Sequence, residues 1–319
     1  MKVLVMPAWM KPYMAKLRRD YPQHRFVEVG SAEVAKEAVD AEVVFGYLSS
    51  GQFKTARSLK WIQTAGAGVE GLLGRVPEIA ESGVIVTNAR GAGAPIIGEH
   101  AVAMMLALAR QFLRFEQDRR DRRWDQDGAL EVVEYLGGKT AGIIGFGKSG
   151  RETGWRCKAL GMSVIALDRH PVDGDPVVDQ VWTDDRLADL LGESDYVVVT
   201  VPLTPESRNL IGANELAMMK RTARLIVTSR GGIVDQVALG TALRDGTIAG
   251  AALDTVAEEP MPADDPLWEA PNLIITPHIA GNAEPELLDR RTFAIFEENL
   301  RRYVKGLPLM NVVNKRLGY

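Results

Sequence analysis

The stretch Thr140-Ala-Gly-Ile-Ile-Gly145-Phe-Gly147-Lys-Ser-Gly150 decides the fold of this chain. Ala141–Ile144 is a short apolar run, too brief for a buried helix and bounded by glycine, so it reads as an internal parallel strand. A helical pattern follows to about Leu160, just before Gly161. Between strand and helix, Gly145, Gly147 and Gly150 are spaced G-x-G-x-x-G. In a dinucleotide site such glycines give a tight turn, close backbone approach to the pyrophosphate and close helix–strand packing. The N–H groups of Lys148, Ser149 and Gly150 then open a helix whose positive end suits phosphate. With 31 glycines in the chain a chance match is easy. The following strand, Ser163–Leu167, lifts the signal by ending in Asp168, eighteen residues beyond Gly150. A carboxylate there accepts the adenosine ribose hydroxyls and repels a 2′-phosphate, which favours NAD. Arg169 beside it could pair such a phosphate, so NADP stays open.

Working outward, short runs rich in Val and Ile recur on both sides. Before the motif lie Val3–Met6, Arg25–Val29, Val43–Leu48, Leu59–Gln63 and Val84–Val86. From it onward lie Ala141–Ile144, Ser163–Leu167, Tyr196–Val201, Leu225–Thr228, Ala249–Leu253 and Leu273–Thr276. Helical patterns separate them, so the fold class is α/β with two doubly wound parallel-sheet domains, the second carrying six strands. Gly91-Ala-Gly-Ala-Pro95 precedes a helical segment from Ile97 to about Arg119, and Gly281-Asn-Ala-Glu-Pro285 precedes an amphipathic helix, Glu286–Val304. Both read as hinges. The expected domains are 1–93 plus 283–319, and 94–282.

The chain has 319 residues, with 38 Lys and Arg against 42 Asp and Glu, for a net charge of −4. Bulk charge therefore argues against nucleic acid or anionic membrane as a partner. One cysteine, Cys157, excludes an intrachain disulfide and a cysteine metal cluster, and no metal is expected. The start of the chain is too short in apolar residues for a signal-peptide core, and Ala101–Ala109 is too short to span a bilayer. The expected location is cytoplasmic.

Ligands of open α/β sheets sit beyond the carboxyl ends of the strands. After Leu225–Thr228 comes Ser229-Arg230-Gly-Gly; after Ala249–Leu253 come Asp254 and then Glu258-Glu259-Pro260; after Leu273–Thr276 comes Pro277-His278. An arginine, an acid and a histidine thus fall on one edge. Reduction of a 2-keto acid, or oxidation of a 2-hydroxy acid, needs all three. Arg230 can hold carboxylate and carbonyl oxygens and polarise the carbonyl. His278 can give or take the hydroxyl proton. Glu258 or Glu259 can orient the imidazole and favour its charged form. Of the other histidines, His100 reads as structural, and His24 and His170 as solvated. Cys157 reads as a small core residue, Met104-Met105-Leu106 as core or dimer surface, and Trp124 as a possible subunit contact.

Gly145–Gly150, Val201-Pro-Leu-Thr-Pro205, Ser229-Arg-Gly-Gly-Ile-Val-Asp235, Asp254 with Glu259-Pro260, and Thr276-Pro-His-Ile-Ala-Gly281 together resemble the D-isomer-specific 2-hydroxyacid dehydrogenases. Thr64-Ala-Gly-Ala-Gly-Val-Glu70, Asn88 with Gly91, and Gly98-Glu-His100 extend the resemblance over nearly the whole chain. It implies a flavodoxin-like substrate domain, a Rossmann nucleotide-binding domain and a homodimer joined through the helix near Ile97. It makes Arg230, Glu259 and His278 the catalytic set, with backbone amides near Ala67 and Gly68 binding the substrate carboxylate. It adds Val201, Pro202, Ser207, Thr228, Ser229, Asp254 and Gly281 as cofactor contacts beside the glycine motif, Asp168, Arg169, Arg230 and His278. The implied activity is glyoxylate- or hydroxypyruvate-reductase-like. Departures are Glu70 where the family has Asp, Thr255 where it has Val, and Thr200 where many members carry histidine. With the sequence ending at Tyr319, a serine-regulatory domain is not expected. Two alternatives remain: a phosphite- or formate-type dehydrogenase, although formate enzymes usually carry glutamine at the place of Glu259, and an NADH-sensing corepressor-like module.

Overall fold

The computed structural model describes residues 1–30, 33–170, 174–316 and 318. The chain divides into two compact units, Met1–Gly93 with Ala283–Tyr319, and Ala94–Asn282. Each is built on a wholly parallel sheet.

In the first unit the strands are β1 (Lys2–Val5), β2 (Arg25–Glu28), β3 (Val43–Phe45), β4 (Trp61–Gln63) and β5 (Ile85–Thr87), in the order β2-β1-β3-β4-β5. This is the flavodoxin order. Alternate side chains serve opposite faces, which is why the inner strands β1, β3 and β4 are buried along their whole length. Val3, Val5, Val43, Phe45 and Trp61 share one core with Phe293, Phe296 and Leu300 of the helix Pro285–Val304. Leu4, Val44, Ile62 and Val86 share the other with Leu72, Val76 and Ile79. The late helix is therefore needed to cover a sheet built two hundred residues earlier.

In the second unit the strands are β6 (Thr140–Ile144), β7 (Ser163–Leu167), β8 (Gln180–Trp182), β9 (Tyr196–Val199), β10 (Arg224–Val227), β11 (Gly250–Leu253) and β12 (Leu273–Ile275). Their order is β12-β11-β10-β9-β6-β7-β8. The chain winds outward from β6 to β8, then returns to β9 on the other side of β6. That reversal puts a crevice at the carboxyl end of β6, where doubly wound sheets bind ligands.

Two expectations need correction. The second sheet has seven strands, because β8 adds an edge next to β7. It is three residues long and only partly buried, so it carries no apolar run to reveal it. The helix expected from Ile97 to Arg119 is two helices, Ala94–Ala109 and Phe112–Arg120, bent by 59°. Gln111 adopts a left-handed backbone (φ 58°), and its side chain caps the Leu108 carbonyl at 3.1 Å, closing the first helix. Among the described residues no single helix is long and apolar enough to cross a membrane.

Candidate active site

The glycine turn is built by contact. A Cβ on Gly150 would lie 2.2 Å from the Gly145 carbonyl oxygen, so only glycine lets the helix Lys148–Ala159 start this close to the strand end. Gly147 caps that helix without a side-chain acceptor, which leaves its first-turn N–H groups directed at whatever lies before them. Thr200, at the family's frequent histidine position, donates its hydroxyl to the Gly145 carbonyl at 2.5 Å and buttresses the turn. Asp168 is held against the same turn: Oδ2 accepts the Phe146 N–H at 3.0 Å and Oδ1 the His170 N–H at 2.9 Å. Arg169 is half-exposed, and its Nε donates to Asp184 at 3.1 Å.

At the end of β10, Thr228 and Ser229 are buried, and neither hydroxyl has a protein partner. Thr255, at the end of β11, is in the same state. Buried hydroxyls almost always find a partner. An amide-bearing ring with a phosphate chain supplies what this edge lacks. The helix N–H groups, the Asp168 carboxylate and these hydroxyls therefore fit a nicotinamide dinucleotide.

Beyond them lie Arg230, Glu259 and His278. Arg230 is partly buried, and its guanidinium touches the Ser229 carbonyl at 2.8 Å. Gly231 presses on the neighbouring loop so closely that a Cβ would sit 1.8 Å from the Val256 carbonyl oxygen. The loops after β10 and β11 are thereby locked together. Glu259 accepts the Val256 N–H on Oε1 at 3.2 Å and meets His278 Nδ1 with Oε2 at 2.7 Å. Of the two adjacent acids, Glu259 is thus the one on the imidazole. A carboxylate only accepts, so Nδ1 carries the proton and Nε2 is left as the second ring nitrogen. His278 itself has a left-handed backbone (φ 55°), with its N–H donated to the Asp254 carbonyl at 2.8 Å.

Residues 102–280 match the family model described as D-isomer specific 2-hydroxyacid dehydrogenase, NAD binding domain. The chain belongs to the D-isomer specific 2-hydroxyacid dehydrogenase family. A glycerate dehydrogenase from Methylorubrum extorquens is 40% identical over 237 residues, 72% of each chain. A D-3-phosphoglycerate dehydrogenase from Archaeoglobus fulgidus is 35% identical over 302 residues, 94% of this chain and 53% of that one, so this chain spans about half its length. A solved D-isomer specific 2-hydroxyacid dehydrogenase from Xanthobacter autotrophicus, in complex with NADPH and MES, superposes with a TM-score of 0.83 at 28% identity over 99% of each chain.

Within this NAD-binding domain, other residues fall less simply. The Ser207 hydroxyl is buried and engaged in its own loop, donating to the Pro202 carbonyl and accepting the Thr204 N–H, both at 2.7 Å. Val201 packs on the Gly145 turn. Asp254 is buried, and its carboxylate accepts Thr276 Oγ1 at 2.6 Å, the Ile279 N–H at 2.9 Å and the Ala280 N–H at 2.8 Å. It organises the histidine loop from beneath, and Gly281 ends that loop. Thr276 meets His100, which reads as structural from the sequence, at 3.1 Å, a long-range contact that no local pattern announces. Met104 and Met105 are core. In the first unit, Asn88 Nδ2 donates to the Ala67 carbonyl at 2.7 Å, and the Ala89 N–H to the Gly66 carbonyl at 2.9 Å. These bonds fix the course of the backbone through Ala67 and Gly68. His24, expected in solvent, has both ring nitrogens buried without a protein partner, and burial holds its pKa below the usual imidazole range. Among the described residues no group of three or more His, Cys, Asp or Glu is placed to hold a metal ion.

Proposed function

We propose that this protein is an NAD(P)-dependent oxidoreductase acting at C2 of a small D-2-hydroxy acid or 2-keto acid, with glyoxylate and hydroxypyruvate as the leading substrates. The observation that carries the reading is the 2.7 Å pair of His278 Nδ1 with Glu259 at the carboxyl edge of the second sheet, Glu259 following the strand next to that of Arg230 and His278 the strand after it. A glycerate dehydrogenase among the relatives supports the substrate class.

Arg230 binds the substrate carboxylate and carbonyl oxygens and draws electron density from C2. His278 Nε2 delivers a proton to the carbonyl oxygen as negative charge develops there, and takes it back in the oxidative direction. Glu259 keeps the ring aligned and balances the positive charge it carries when doubly protonated. When bound, the nicotinamide supplies or accepts the hydride at C2. The glycine turn, Lys148 and Ser149 would hold its pyrophosphate, Asp168 its adenosine ribose, and Thr228 and Ser229 its polar ring substituent. Asp168 disfavours a 2′-phosphate, so NADH is the better partner.

A panel of glyoxylate, hydroxypyruvate, pyruvate and phenylpyruvate, each assayed with NADH and NADPH, tests this directly. Turnover of at least one 2-keto acid is expected, and absence of turnover on all of them sinks the reading. A cytoplasmic homodimer belongs to the same proposal. Trp124, Leu130 and Tyr135, all more than two-thirds exposed, supply apolar surface for the subunit contact. Light scattering that gives a monomer mass at micromolar concentration would contradict it.

A further inference from the structure

His100 opens a polar line that ends at the catalytic histidine. It lies on the helix Ala94–Ala109, which is anchored in the core by Ala101, Met104, Met105 and Leu108. Its Nε2 is 3.1 Å from Thr276 Oγ1 and 3.7 Å from Asp254 Oδ1. A threonine hydroxyl has one proton, and at 2.6 Å from the Asp254 carboxylate that proton is committed to Asp254. The contact with His100 must then be donated by the ring, so His100 carries a proton on Nε2. Asp254 in turn takes the N–H groups of Ile279 and Ala280, while its own carbonyl takes that of His278. The residues just before and just after Pro277-His278 are thus tied to one carboxylate. A left-handed backbone on a residue with a Cβ, as at His278, persists only where its surroundings enforce it.

We infer that His100 is a positioning residue for His278, acting through the Thr276 hydroxyl and the Asp254 carboxylate to fix the loop 276–280. This rests on the reading of His278 as the acid–base group. The glutamate partner sets the ring from the Nδ1 side; the His100 clasp sets the backbone from which the ring hangs. Loss of the clasp leaves Arg230 and the glycine turn in place but loosens the angle at which His278 Nε2 meets the carbonyl oxygen. Misplacement of about 1 Å at such a site costs up to roughly 100-fold in rate.

The test compares His100→Leu, Thr276→Val and His100→Gln. Glutamine places an N–H donor near the position of Nε2; leucine and valine remove the line while keeping volume. Two readouts are taken: kcat and KM for the best keto acid, and the NMR resonance of the His278 Nδ1 proton shared with Glu259, recorded without substrate. His100→Leu and Thr276→Val are expected to lower kcat by about 10-fold to 100-fold with KM for NADH unchanged, and to shift or broaden the resonance. His100→Gln is expected to keep the resonance and most of the rate. Wild-type kcat and resonance in both His100→Leu and Thr276→Val overturn the inference. So does loss of cooperative folding in both, which would make the line a stability element alone. A wild-type protein that turns over no keto acid defeats the functional reading, while the resonance still decides the clasp.

Discussion

The two sheets treat buried polarity in opposite ways. Beneath β4 in the first unit, polar groups close on one another. Trp61 Nε1 donates to Thr87 Oγ1, which donates to Gln63 Oε1, both at 2.7 Å. Asn299 donates to that same Gln63 oxygen at 3.1 Å, and its Oδ1 accepts the Met310 N–H at 2.7 Å. Strand, strand and late helix are joined by a network that uses both ends of each side chain. At the carboxyl edge of the second sheet, Thr228, Ser229 and Thr255 keep buried hydroxyls without a protein partner. A closed network raises stability and specifies one packing; an unclosed one costs stability unless something outside the chain completes it. The contrast separates polar groups that complete one another within the fold from polar groups that the fold does not complete.

Four measurements sharpen or break that division. His278→Gln is expected to lower kcat by about 10²-fold to 10⁴-fold with the thermal midpoint nearly unchanged, read by steady-state NADH oxidation and calorimetry. A large loss of stability in this variant would erase the division. Trp61→Ala should do the reverse, costing about 3–5 kcal/mol in urea unfolding through lost volume and loss of the bond that Trp61 donates to Thr87. Asp168→Ser is expected to move the ratio of kcat/KM for NADH over NADPH toward NADPH by about tenfold, since one repelling charge is removed. An unchanged ratio would assign cofactor choice elsewhere, with Arg169 the first residue to test. The smallest effect is at Cys157, in the core beside the glycine turn. Burial pushes its thiol up to about 12, so at pH 8 the native protein should resist a maleimide that labels it promptly in urea. Rapid native labelling would show that this core opens.

What the sequence made legible was local. A strand end, a glycine spacing and an acid after the next strand lie within thirty residues, and their geometry follows from backbone chemistry. The arginine, acid and histidine were found because parallel strands put all their carboxyl ends on one edge. The remainder depends on contacts between distant segments. Glu258 and Glu259 are neighbours of the same type, and only the Val256 N–H bond to Glu259 turns one of them toward His278. His100 meets Thr276 across 176 positions, with no periodicity to announce it. β8 lacks an apolar run because an edge strand need not be buried. The left-handed Gln111 breaks a helix whose composition favours continuation.

The contact of Gly231 with the Val256 carbonyl has a consequence for variation. There is no room between the two loops for a single carbon atom, so the backbone of one is the mould for the other. In a library carrying every amino acid at position 231, survivors selected for folding alone should be glycine, before any demand is made on catalysis. A second library, varied at the arginine one residue earlier and selected in the same way, would tolerate replacement. The most restricted position beside the reaction would then be one with no side chain to take part in it.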